Sequence, residues 1–339
     1  MSFFIQAPKS LRIIFSILFL CLLFSAGWLT GTWYDNYVVH TLTQDTPVRE
    51  NSPDFKYINP LLFVDNSRED FPEYSSLEEE IENYTKKAIA VGDAKKISVY
   101  FRDLNSSHWG GVNKDELYAP SSMLKVAVLL SYLKLSEKNP DTLSKNILYQ
   151  RKDTYGEYYT PKYLTNGNHS TLELLQNMII ESDNSAMSAL VALHQDEIIK
   201  LYQDLQLPDL LESADDFMSV EDYSYIFRAL YNSTYLKRNF SEQALKLLTY
   251  TKFDKGIVAG VSASTTIAHK FGEHTLTDTT GKIIERQLHD CGIIYYPQKP
   301  YLLCVMTKGE DFKNLETVIA KISEMVFTFT KNINIRDTL

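Results

Sequence analysis

Strand-like alternation lies near both ends of this chain, with a long helical stretch between. Residues 97–104 alternate apolar and polar like a half-buried strand, and the pattern returns at 266–271, 289–296 and 301–307. The last two segments flank Pro297-Gln298-Lys299-Pro300, which predicts a hairpin. Between about 172 and 250 the spacing is helical, broken at Leu207-Pro208 and restarted at a cap on Ser219. A closing helix is predicted over 313–329, with Leu315, Val318, Ile319, Ile322 and Val326 on one face. Such an order implies one antiparallel sheet built from both chain ends, with helices over its faces and an all-helical subdomain inserted between. The expected class is α/β in the broad sense, strictly α+β.

Three further elements complete the expectation. Ser76 and Glu79 form a capping box for a helix carrying Leu77, Ile81, Tyr84 and Ala88, stopped by Gly92. Trp109-Gly110-Gly111 predicts a turn or bulge. A strongly apolar helix is predicted over 122–135.

The N-terminus adds a membrane segment. Lys9 and Arg12 precede an uncharged apolar run over 13–29, and Trp28, Trp33 and Tyr34 fall where an interfacial aromatic belt would sit. We expect residues 1–12 in the cytoplasm, 13–33 as a transmembrane signal anchor, 34–75 as an extracytoplasmic stalk containing Pro47, Pro53, Pro60 and Pro72, 76–330 as the functional domain, and 331–339 as a tail. The alternative is a cleaved signal peptide, with Ser25-Ala26-Gly27 as its site. Small residues do not precede Cys21, so no lipoprotein is expected. The net charge is −9, with Lys and Arg scattered, which leaves no basic field for nucleic acid. Cys291 and Cys304 fall on neighbouring predicted strands and are expected as two buried free thiols. Neither a metal-ligand spacing nor a cofactor motif is present, so no metal and no cofactor are expected.

Three short motifs carry the chemistry. Ser122-Met123-Leu124-Lys125 is a Ser-x-x-Lys at a helix start, just after Pro120. Residues three apart share a helix face, so a desolvated Lys125 amine could take the Ser122 hydroxyl proton. Ser131 and Lys134 repeat the spacing, but Ser131 lies nine residues further along the same helix and points to the opposite side. Ser182-Asp183-Asn184 follows 60 residues after Ser122. Its hydroxyl can relay protons and its amide can orient a substrate amide or the lysine; flanked by Glu181 and Ser185, it also has the composition of a helix N-cap. Lys270-Phe271-Gly272 lies on a late strand, where a lysine could meet an anionic group and Gly272 could allow a close approach.

In this order, the motifs resemble those of the class A β-lactamases and penicillin-binding proteins, over about residues 76–330. The segment 119–126 resembles the nucleophile segment of those enzymes. The resemblance implies a β-lactamase/transpeptidase-like fold and an acyl-enzyme on Ser122, with a β-lactam or a peptidoglycan-like amide as substrate. It implies Lys125 as base, Ser182 as relay, Asn184, Lys270, Gly272 and Glu273 as substrate-binding positions, and the Ser122 and Glu273 N–H groups as oxyanion donors. The alternative is a catalytically weak ligand-binding relative on the envelope.

The chain departs from the family pattern in three places. The segment 205–217 lacks the loop Glu of class A enzymes, and its Asp209, Glu212, Asp215 and Asp216 are expected as a solvated acidic turn. Phe271 stands where the family has a hydroxyl, and Glu273 where it has a small or hydroxylated residue. His274, His289 and Asp290 lie near the expected site, and hydrogen-bonded structural pairs are the expectation for them; His269 is expected on the face of its strand opposite Lys270. Tyr155, Tyr158, Tyr159 and Tyr163 are expected in packing rather than in the cleft.

Overall fold

The computed structural model describes residues 25, 48–49, 53–63, 72–152, 156–208 and 216–336. Contacts divide the chain into Met1–Thr46 and Pro47–Leu339, and all the strands and helices named here belong to the second unit. The expected anchor over 13–33 lies outside the described residues, Ser25 apart. Among the described residues no helix is long and apolar enough to cross a membrane.

In chain order the elements are β1 (Val48–Arg49), β2 (Leu61–Phe63), α1 (Pro72–Val91), β3 (Lys96–Asp103), β4 (Trp109–Val112), a 3-10 turn (Ser121–Leu124), α2 (Lys125–Lys138), β5 (Asn146–Tyr149), β6 (Gly167–Ser170), α3 (Thr171–Ile180), α4 (Asn184–Asp204), α5 (Val220–Tyr231), α6 (Arg238–Leu248), β7 (Thr266–Thr277), β8 (Ile283–Tyr295), β9 (Tyr301–Gly309) and α7 (Phe312–Arg336). The five-stranded antiparallel sheet has the order β4-β3-β9-β8-β7. The first and last parts of the chain share one sheet, as the strand pattern predicts, and meet where β3 pairs with β9.

Alternation along the strands sorts residues between two cores. Val99, Phe101, Phe271, Leu303 and Val305 pack with α1 and α7, whereas Tyr100, Ala268, Cys291, Cys304 and Met306 pack with the helical subdomain. Helix α2 lies in the second core, with Val126 through Leu130 all buried. Every side of it meets protein, so its apolar stretch is a core signal.

Several local expectations change. Helix α1 starts at Pro72, so Ser76 sits inside it rather than capping it. Gly92 ends it at φ 84°, a left-handed conformation that favours glycine. Trp109-Gly110-Gly111 opens strand β4 instead of a turn; a side chain on Gly110 would stand 2.5 Å from the Phe101 ring. Strand β7 runs to Thr277 and forms a long hairpin with β8, well past the predicted end at 271. The Ser219 cap is present as a full capping box with Asp222.

Part of the segment expected as a stalk docks on the domain. The Glu242 carboxylate on α6 accepts the N–H groups of Lys56 (2.8 Å), Tyr57 (2.7 Å) and Ile58 (3.1 Å). The Arg49 guanidinium donates to Asn59 O (2.8 Å) and Asn232 Oδ1 (2.9 Å). The cysteines also differ from expectation: Cys291 and Cys304 are joined as a disulfide. They face each other in register across β8 and β9 with Cα atoms 4.0 Å apart.

Candidate active site

The turn that carries Ser122 is short and constrained. Residues Ser121–Leu124 form a 3-10 turn that passes directly into α2, and Ser121 has φ 49°. Left-handed backbone at a non-glycine residue costs about 1–2 kcal/mol, so the surroundings must hold it. Strand β7 does so from one side. A Cβ on Gly272 would stand 2.5 Å from Pro120 O and 3.0 Å from Met123 Cγ. The close approach that Gly272 permits is therefore that of the strand to the Ser122 turn. From below, the buried His289 imidazole joins the segment to the sheet. Its Nε2 donates to Ala119 O at 3.1 Å, while Nδ1 accepts from Thr307 N at 3.2 Å. Burial pushes this imidazole down to about 3, so it stays neutral and structural.

Four further side chains converge on Ser122. The Lys125 amine donates to Ser122 Oγ at 2.5 Å, to Asn184 Oδ1 at 2.6 Å and to Ser182 Oγ at 3.2 Å. The Lys270 amine donates to Ser182 Oγ at 3.0 Å and to Phe271 O at 3.0 Å. Ser182 thus bridges two lysines. Both lysines are fully buried, whereas Ser122 is only half-buried and remains reachable.

Ser182 itself sits at φ 59°, between α3 and α4. The next residue fixes it. Asp183 is the N-cap of α4, accepting from Ser185 N (2.7 Å) and Ala186 N (3.2 Å). Its other oxygen accepts from Tyr149 Oη (2.8 Å) and Asn177 Nδ2 (2.8 Å). The N-cap and the chemical roles of this motif are thus not alternatives. Capping by Asp183 places Ser182 and Asn184 on either side of the Lys125 amine.

Burial sets the electrostatics. Desolvation lowers the Lys125 amine to about 7, and the Asp183 and Glu273 carboxylates oppose that shift. Lys270 is lowered well below its ordinary value, first by burial and then by the neighbouring Lys125. Near neutral pH the pair can hold a neutral amine against the Ser122 hydroxyl, which is what an activated serine needs.

The remaining candidates separate. Ser131 donates to Ala127 O (2.9 Å) within its own helix, and Lys134 donates to Tyr235 O (2.5 Å), so this second Ser-x-x-Lys is structural. Phe271 is buried on the α7 side, its ring stacked on Phe253 with centroids 4.1 Å apart. The Glu273 carboxylate accepts the N–H groups of Tyr158 (2.7 Å) and Tyr159 (3.0 Å). His269 lies on the opposite face of β7 from Lys270 and pairs with buried Asp290 at 2.8 Å. Asp216 is not solvated as expected: it accepts from Gln287 Nε2 (2.8 Å) and from Lys308, and these partners hold its carboxyl below the usual range. Asp209, Glu212, Asp215 and Tyr155 lie outside the described residues. Among the described residues no cluster of His, Cys, Asp and Glu could hold a metal ion.

Sequence motifs identified the converging residues but not their supports. Pro120, Asp183, Tyr149 and His289 hold the site together; Pro120 and Asp183 carried a signal as residues just before a helix and His289 as a structural histidine near the site, whereas Tyr149 carried none.

The sheet, the inserted helices and the Ser-Lys-Ser-Lys array together define a β-lactamase-like domain. A profile of the beta-lactamase enzyme family matches residues 76–330, and the chain belongs to that family. Sequence comparison with curated proteins gives no match. Solved structures give the same fold at low identity. A variant of PBP-A, captured as an acyl-enzyme with penicillin G, is 19% identical with a TM-score of 0.63, over 76% of this chain and 97% of its own. The TLA-1 extended-spectrum β-lactamase is 20% identical with a TM-score of 0.64, over 76% and 99%. A β-lactamase from Xanthomonas campestris pv. campestris is 18% identical with a TM-score of 0.62, over 75% and 98%.

Proposed function

We propose that this protein is an extracytoplasmic serine hydrolase, anchored by residues 13–33, that forms an acyl-enzyme on Ser122 with a peptidoglycan-like amide or a β-lactam. The observation that carries it is the convergence of Lys125, Ser182, Asn184 and Lys270 on Ser122. Neutral Lys125 takes the Ser122 proton as Oγ bonds to the substrate carbonyl carbon. The tetrahedral adduct collapses with cleavage of the C–N bond. The proton passes from Lys125 through Ser182 Oγ to the departing nitrogen, a path that the 3.2 Å contact between them provides. Family membership and the penicillin G adduct of PBP-A support the substrate class. The Cys291–Cys304 disulfide supports an oxidising compartment.

A fluorescent penicillin tests this directly. The wild-type protein in isolated membranes is expected to take the label, and Ser122→Ala is expected to lose it while Ser131→Ala keeps it. Equal labelling of Ser122→Ala would refute the assignment.

Asp216 favours slow release of the acyl group. Asp216, the described acidic residue of the segment 205–217, is tied to Gln287 and Lys308, and so is unavailable as a base for water. Such a protein would bind penicillins covalently with little turnover.

A further inference from the structure

The side of the sheet farthest from β7 gathers arginines. Arg102 lies near the end of β3, directly across from Trp109 on β4, and both share the face of Tyr100, which packs with the helical subdomain. Tyr100 Oη accepts from Arg102 Nη1 at 3.3 Å, and its ring stacks on Trp109 with centroids 5.9 Å apart. On α5 the Arg228 guanidinium lies over the Tyr225 ring, 4.7 Å from its centroid. Arg49 joins the two elements. It donates to Asn105 O (3.3 Å), just past β3, and to Asn232 Oδ1 (2.9 Å), whose own N–H donates to Arg228 O (3.0 Å). It therefore ties the end of β3, beside Arg102, to the last turn of α5, beside Arg228.

Three guanidiniums thus meet with little opposing charge. The carboxylates on the same elements are engaged elsewhere. Asp103 accepts from Asn105 N (2.7 Å) and Ser106 N (2.8 Å), Glu221 pairs with Lys114, and Asp222 completes the Ser219 cap. Among the described residues neither Arg102 nor Arg228 has a carboxylate partner. Both are half-buried, while Trp109 and Tyr225 beside them are exposed, so the group opens to solvent. Burial lowers the Arg102 guanidinium from its ordinary value; Tyr100 opposes that shift and the Arg228 charge adds to it. Guanidinium forks bind oxyanions bidentately, and partly desolvated ones gain most from doing so. A phosphate monoester carries about −1.5 to −2 near pH 7, which matches three cations better than the single charge of a carboxylate does.

We propose that Arg102 and Arg228 form a binding site for a phosphate monoester, with Arg49 holding the two elements together and adding its charge. The site is separate from the serine centre. Arg102, Leu302, Ile293 and Ala268 are register partners across β3, β9, β8 and β7, so three strand spacings, about 14 Å, lie between Arg102 and the strand that carries Lys270. The proposal stands whether or not Ser122 is acylated.

Titration of the full chain, in a neutral detergent and at constant ionic strength, with phenyl phosphate tests this by phosphorus NMR. Saturable binding is expected, with benzoate, the matched carboxylate, at least about tenfold weaker as a competitor. Arg228→Gln should weaken phosphate binding about tenfold or more, and Arg102→Lys, which keeps the charge but loses the fork, should weaken it too. Binding should persist in Lys125→Met. Phosphatidic acid in the same micelles identifies the source of the phosphate. Tighter binding than that of phenyl phosphate assigns a lipid headgroup, and equal or weaker binding a soluble ester; both support the site when Arg228→Gln weakens them. No saturable binding to wild-type protein below about 10 mM would overturn the proposal, whether or not a variant folds. So would benzoate binding as tightly as phenyl phosphate, or undiminished phosphate binding by folded Arg228→Gln. Loss of binding in folded Lys125→Met would place the phosphate at the serine centre and overturn it as well.

Discussion

Replacing Lys125 with methionine should stabilise this protein while abolishing acylation. Lys125 is fully buried and its amine is lowered from 10.5 to about 7. An unfolded chain keeps that lysine protonated up to pH 10.5, whereas the folded chain sheds the proton above about 7. Folding at pH 7 therefore carries the cost of holding the amine near neutrality, about 4 kcal/mol from the difference in proton binding. Methionine has similar length and no charge, so that cost disappears. Against this, Ser122, Ser182 and Asn184 lose their shared donor, at about 1 kcal/mol for each contact left unmade. The net expectation is a gain of roughly 1–2 kcal/mol at pH 7. The pH dependence is the sharper signature. Between about pH 7 and 10.5 the unfolded wild-type chain binds more protons than the folded one, so wild-type stability rises with pH relative to the variant, by up to about 1.4 kcal/mol per unit from this group. Urea unfolding of wild type and Lys125→Met at pH 7, 8 and 9 would show the gap closing and then reversing. Parallel stability curves would refute a depressed Lys125 amine, and with it the source of the neutral base.

Other outcomes follow from the same geometry. Acylation of wild-type protein by a fluorophosphonate should rise with pH and reach half its maximum near pH 7, because only neutral Lys125 accepts the proton; a profile flat from pH 5 to 9 would contradict this. Removing the Glu273 charge with Glu273→Gln should move that midpoint to lower pH, since this carboxylate holds the Lys125 amine up; a midpoint that moves upward would contradict the coupling. Gly272→Ala should slow acylation at least about tenfold while leaving the far-UV spectrum intact, because its Cβ would push β7 from Pro120 O, and misplacing a reacting group by under an ångström has effects of that size. A reporter fused after residue 60 should be active only outside the cytoplasm in membrane-bound protein, whereas release of a soluble form starting near Trp28 would show a cleaved signal.

Periodicity made much of the fold legible. Strand alternation at both chain ends implied the one sheet they share, which β3 and β9 join, and the Leu207-Pro208 break and the Ser219 cap fell where the helices change. What it could not provide was set by tertiary contact. Strand β7 continues to Thr277 because β8 pairs with it along that length, although residues 272–277 carry little strand pattern of their own. Helix α1 begins at Pro72, so the apparent capping box at Ser76 came to nothing. Three short motifs, read in order, located the residues that meet at Ser122, because each motif carries its own local geometry. The contacts through which the supports act were not legible. His289 acts through a backbone carbonyl 170 residues away, and Gly272 is required by the closeness of Pro120 rather than by any turn. Glu273 stood out as a departure from the family pattern, but its two backbone partners come from a loop more than 100 residues earlier. Asp216 shows the converse, an acidic turn residue that proved to be paired with Lys308 and Gln287.

Peptide mass mapping after reaction with penicillin G tests most directly whether Ser122 is the acylated residue. The full chain is incubated with the drug, quenched in acid and digested, and the mass gain is assigned to a residue by fragmentation. A single penicilloyl group on Ser122, persisting for minutes after free drug is removed and absent from Lys125→Met, is the expected result. An adduct on Ser131, on Ser182 or on a lysine, or none at all on Ser122, would contradict it.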